Sequence, residues 1–198
     1  MVSIKLRLNA LLICMQSFFS TAFIILLSAA LALQEVNARE WTVYEGTNEM
    51  TDRLFVLAYS PLVSATRNLP FPYNQLKARM LYQCTESGVE VVAVQFNLDP
   101  NLTTTDITQG ETQFEVRARW DDHLRNQTMT HSFGEREVYF VRYREGKISD
   151  PLRKIQEYNK VLIEFDIFSV GKAVFEFDLD GSASAITDAK NTCGIELR

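Results

Sequence analysis

The chain has 198 residues, 46% of them hydrophobic, and a formal net charge of −5. That is enough chain for a single domain with a sizeable core, and the mild acidity mainly implies solubility. With 20 Lys and Arg against 25 Asp and Glu, it lacks the basic excess that nucleic-acid binding requires.

The first 38 residues read as an export signal. Lys5 and Arg7 precede an apolar run from Ala10 to Leu33 that includes Phe18, Phe19 and Phe23–Leu27, and the polar stretch Gln34–Ala38 follows. Basic start, apolar middle and a polar end with small residues are the three parts of a secretory signal peptide. Cleavage is expected after Ala38, leaving Arg39 as the first residue, with Ala32 as the other small-residue option. The apolar run exceeds the ~7–15 residues of a usual signal core and is long enough to cross a bilayer, so residues 1–38 read alternatively as an N-terminal membrane anchor. Either way, residues 39–198 form a single domain beyond the membrane, in contact with it only where the leader stays attached. Losing Lys5, Arg7 and Glu35 leaves 18 basic and 24 acidic residues, a net charge of −6.

The remaining chain reads as mostly β. Strands are expected at Trp41–Tyr44, Arg53–Tyr59 and Gln75–Gln83, with a Pro-containing loop over Asn68–Asn74. After the turn Ser87-Gly88, Val92, Val94, Phe96 and Leu98 alternate with other residues. The Asp-, Asn- and Thr-rich stretch Asp99–Gly110 reads as a loop. Phe114, Val116, Ala118 and Trp120 alternate with Glu115, Arg117 and Arg119 in a further strand. Asp121–His131 reads as a polar hairpin tip or loop, and Glu137–Arg144 as a strand apolar on both faces and therefore central.

Asp150-Pro151 is a helix start, with Leu152 and Ile155 facing the core. Lys160–Phe168 and Ala173–Leu179 alternate most clearly, and Ser169–Lys172 joins them as a hairpin. A second helix begins near Ser182 or Ser184, carries Ile186, Ala189 and Cys193 on one face, and stops at Gly194. Many strands, few helices and no βα alternation give the expected fold: an antiparallel β-sandwich with two short helices, one near the C-terminus.

Two cysteines follow the leader, Cys84 and Cys193. An isolated pair in an exported domain predicts one disulfide. A redox or metal pair is the alternative, but there is no C-x-x-C and no histidine near either cysteine. The two histidines, His123 and His131, lie close in sequence to Asp121 and Asp122 without the spacing of a zinc site. Asp178, Asp180 and Gly181 resemble the start of a calcium loop, but Ala183 and Ala189 occupy the positions where an EF-hand needs Gly and Glu.

No G-x-S-x-G elbow is present, and neither histidine has the context of a catalytic triad. No catalytic residue, metal ligand or cofactor is therefore assigned, and the chain is expected not to be an enzyme. Asn101-Leu102-Thr103 and Asn126-Gln127-Thr128 match the glycosylation sequon, which matters only in a eukaryotic secretory pathway. The polar segment with Asp121, Asp122, His123, Arg125 and His131 is the expected contact surface, together with the Asp99–Gly110 loop.

Four features together carry a family likeness. Trp41 opens the domain, with Thr51-Asp52 before the next apolar strand. Leu81-Tyr82-Gln83-Cys84 ends a strand. Arg117 lies in a strand leading to a polar turn. Ala173-Val174-Phe175-Glu176-Phe177-Asp178-Leu179-Asp180-Gly181 precedes a helix ending Cys193-Gly194. Over residues 41–194 the chain resembles the VasI/TagO family of proteins associated with bacterial type VI secretion. It departs from the family in having Ile195 where an aromatic follows the last Cys-Gly, and Met129-Thr130-His131-Ser132 where Trp-x-x-Ser is usual. The resemblance implies an exported, non-enzymatic accessory protein of the Gram-negative periplasm, with protein partners in the cell envelope and no cofactor. Two other function classes stay open: a periplasmic inhibitor or immunity protein, and a cell-envelope hydrolase or metalloenzyme.

Overall fold

The computed structural model describes residues 40–103, 110–132, 134–144 and 150–195, with backbone alone for 141–144. Ten strands and two helices are seen among them. The strands are β1 (Thr42–Asn48), β2 (Arg53–Tyr59), β3 (Val63–Ser64), β4 (Lys77–Thr85), β5 (Val89–Phe96), β6 (Glu111–Trp120), β7 (His123–Ser132), β8 (Glu137–Arg144), β9 (Lys160–Ile167) and β10 (Gly171–Asp178). The helices are α1 (Asp150–Glu157) and α2 (Ser182–Cys193).

The strands form one antiparallel sheet in the order β1-β2-β4-β5-β8-β7-β6-β9-β10, with β3 beside β4. The two stacked sheets of a sandwich are replaced by this single open path, because every neighbour along it shares a hydrogen-bonded ladder. Its inner face is buried by curling. Phe96 on β5 meets Phe165 on β9 at 5.3 Å and Phe175 on β10 at 5.6 Å, both edge-on. β5 and β9 stand four places apart in the sheet, so their rings touch only because the sheet bends round to face itself. A bridge from Ala65 to Phe175 ties the chain after β3 to β10. Burying these aromatic and β-branched side chains is the main favourable term, about 25 cal/mol per Å² of apolar surface.

The alternating strands appear where the sequence places them, and β8 lies centrally between β5 and β7. The hairpin after β9 turns through Ser169 and Gly171, both at positive φ. α2 buries Ile186, Ala189 and Cys193 and stops at Gly194, whose φ of 71° an L side chain rarely adopts. Cys193 is bonded to Cys84 on β4, with Cα atoms 6.3 Å apart, within the ordinary disulfide range. α2 thus lies fastened over β4, β2 and β1.

The polar segment expected to be a hairpin tip or loop is instead a full strand, β7. It pairs with β6 over ten residues, from Glu111↔Ser132 to Trp120↔His123. Polar residues suffice because β8 joins β7 only at Thr130 and His131, leaving its first half exposed on both faces. Only Asp121 and Asp122 remain as the turn, with Asp121 at a φ of 46°.

Candidate functional site

Pairing of β7, β6, β9 and β10 builds a mixed polar and apolar patch on the solvent side of the sheet. Arg117 stands opposite Glu164 and Arg119 opposite Leu162, while Leu124 faces Arg119 from β7 and Val174 faces Glu164 from β10. These six residues line a cleft of about 210 Å³. Arg117 grips Glu164 with two donors, Nε to Oε1 at 3.0 Å and Nη2 to Oε2 at 2.5 Å, and Lys172 Nζ adds a third contact at 3.1 Å. The Arg117 hydrogen bonds, then Lys172, hold the Glu164 carboxyl below its usual range against the opposing effect of partial burial. Arg119 and the half-exposed Leu124 are left to offer a guanidinium beside an apolar shelf.

A second cleft of about 300 Å³ lies between Pro72, Tyr73, Leu98, Asp99 and Asn101. It is at the lower limit of ordinary ligand pockets, and the first is below it.

A third cluster is internal. The Tyr82 hydroxyl donates to Glu90 Oε1 at 2.6 Å, and Lys190 Nζ lies 3.0 Å from the same oxygen. Burial, then the Glu90 hydrogen bond and charge, push the Tyr82 phenol far above its usual range. Glu90 stands opposite Cys84 in the β4–β5 register, so this cluster flanks the disulfide and joins α2 to the sheet. Removing one partner would leave a buried charge, which is why such clusters persist as structural joints.

The five residues expected to form a contact surface do not come together. Asp121 is a staple: its carboxylate accepts from the backbone N–H groups of Asn159 and Lys160 and from Asn159 Nδ2. Desolvation opposes its ionisation, but those donors and the Lys160 charge outweigh it and lower its pKa. Asp122 and Arg125 are exposed, and exposed His123 lies edge-on to Tyr158 at 6.0 Å. His131 sits at the other end of β7, eight residues on and roughly 26 Å away at strand rise. It is 1% exposed, and its Nε2 lies 3.0 Å from the Glu135 carbonyl oxygen, so it braces the β7–β8 turn and is not a surface residue. No three His, Cys, Asp or Glu side chains among the described residues are placed to hold a metal ion.

The Asp99–Gly110 loop is only partly described, since residues 104–109 lie outside. Its start is tied down: Leu102 is buried and bridges Ile167, and the Thr103 N–H donates to Asp166 O. The Arg117–Glu164–Lys172 grouping escaped sequence reading because β6 and β9 pair across 47 residues. Its only sequence signal was the charged phase of two alternating strands.

Comparison with known proteins finds no family model, curated protein or solved structure that matches this chain. The likeness to the VasI/TagO family therefore rests on the residues quoted for it.

Proposed function

We propose that the chain is an exported, non-enzymatic binding protein of the Gram-negative cell envelope, an accessory of a type VI secretion apparatus that acts through a protein surface. The observation that carries the export half is the bonded pair Cys84–Cys193, since such a bond persists in an oxidising compartment and is rare in the cytosol. Among the described residues no helix is long and apolar enough to cross a membrane. The likeness over residues 41–194 carries the assignment to secretion. The binding half is supported by the cleft beside Arg117 and Glu164, where exposed Arg119 and Leu124 offer a guanidinium next to an apolar side chain.

Cell fractionation with N-terminal sequencing tests the first half. The reading expects a periplasmic protein beginning at Arg39, or at Leu33 if the earlier cleavage is used. A reduced, cytosolic protein that still begins at Met1 contradicts it. Deletion of the gene should impair type VI effector release without removing any hydrolytic activity from the envelope.

A further inference from the structure

Hydrogen-bond parity shows that β1 leaves one side open. The Leu54 N–H donates to Glu86 Oε1 at 2.8 Å, and the Ser60 N–H donates to Met80 O at 3.0 Å, so the even-numbered backbone groups along β2 point toward β4. Opposed residues in an antiparallel ladder either exchange both hydrogen bonds or neither. The odd positions of β2 therefore bond to Asn48, Gly46, Tyr44 and Thr42, their partners in register. Val43, Glu45 and Thr47 are left with N–H and C=O groups pointing away from the sheet. Among the described residues nothing meets these six groups.

The side chains flanking this edge give it character. Tyr44 is half exposed and its ring centroid is 6.2 Å from that of Phe55. Phe55 lies over Gly46 so closely that a Cβ there would come within 2.5 Å of its ring. Val43 is 39% exposed on the other face. Between Glu40 and Asp52 the charges are Glu40, Glu45, Glu49 and Asp52, all exposed, and the first cation is Arg53. A second copy would bring two such acidic segments together, and like charges directly opposed in a sheet are unfavourable.

We infer that β1 is a docking edge for an extended segment of a partner protein. That segment adds as a further antiparallel strand, sets Lys or Arg against Glu45 and its acidic flanks, and places one apolar side chain beside Val43 on one face and another beside Tyr44 on the other. The inference rests on the binding-protein reading and names the surface that reading requires.

The test uses the full chain as processed in the cell and two synthetic nine-residue peptides. One alternates valine and threonine with three lysines, and the other carries glutamates in their place. The lysine peptide should bind one to one, at least tenfold more tightly than the glutamate peptide, and should slow amide exchange at Val43, Glu45 and Thr47. Glu45→Pro removes the central outward donor and should weaken binding at least tenfold with an unchanged circular dichroism spectrum. Thr47→Pro serves if that variant fails to fold. Equal affinity for the two peptides, protection elsewhere on the molecule, or peptide-free protection that grows with protein concentration each overturns the inference, the last in favour of a second copy. An exported protein that fails here but crosslinks to an envelope protein through the Arg117–Glu164 face keeps the broader reading and loses only this surface.

Discussion

The two ends of the sheet are treated oppositely. At β10 and the turn before it, four outward carbonyl groups are covered. Arg67 donates to Val170 O and Lys172 O, the Thr66 N–H to Val174 O, and the Trp41 indole to Asp178 O. On β1 the outward groups of Val43, Glu45 and Thr47 meet nothing among the described residues. Bare strand edges invite pairing with other chains, and natural proteins cover or charge them. Here one edge is covered by side-chain and backbone donors from elsewhere in the fold, while the other carries only Glu45 as a charge. Trp41 stands where the two ends meet, immediately before β1 and bonded to the end of β10. The difference teaches that edge protection is local, so an edge left bare beside a covered one is a place to look for a partner.

The comparison can be broken most severely at the disulfide, which fastens α2 over the β1 side of the sheet. The bond closes a loop of more than 100 residues, worth about 4.7 kcal/mol in the chain-entropy treatment. Cys84→Ser with Cys193→Ser should lower unfolding free energy in urea by an amount of that order, and amide protection should fall first in β1 and β2. Trp41→Ala should cost about 3 kcal/mol, because a nearly buried indole is lost and the Asp178 carbonyl is uncovered. A melting temperature equal to the parent's would show that Trp41 does not join the two ends.

Smaller effects are expected on the solvent face near β10. The Glu164 carboxyl has a folded pKa lowered by Arg117 and Lys172, so its stabilising contribution is complete above the unfolded carboxylate pKa and is lost as pH falls through the folded value. The Arg117 side chain is half exposed, so the effect should be about 1 kcal/mol or less. Stability measured between pH 7 and pH 3 should fall less steeply in Glu164→Gln than in the parent. Smallest in stability is Arg67→Ala, within about 0.5 kcal/mol as for most surface changes. It uncovers the Val170 and Lys172 carbonyls, and sedimentation should then show association that the parent lacks.

Much of this fold was legible in the sequence because period-2 alternation was strong wherever one face is buried. Lys160–Ile167 and Gly171–Asp178 carry an apolar residue at every inward position, and Gly194 marks the end of α2. β7 was not legible. Its ladder with β6 is complete, but its first half faces solvent on both sides, so nothing selected for alternation. Misreading it as a loop made His131 look like a surface group, when backbone pairing carries it into the core. The sandwich expectation failed for a related reason, since alternation reports which face is buried and not whether that burial comes from a second sheet or from the curl of one. The edge of β1 was invisible because it depends on which backbone groups point outward, a parity set by partners 20 and 32 residues along the chain.

Residue-resolved amide exchange on the free protein tests the central contrast most directly. Tyr44, Gly46 and Asn48, bonded to β2, should exchange at least a hundredfold more slowly than Val43, Glu45 and Thr47, giving a sawtooth along β1. Uniform slow exchange through Val43–Asn48 at low protein concentration would mean that the outer edge of β1 is already occupied, and would contradict the account.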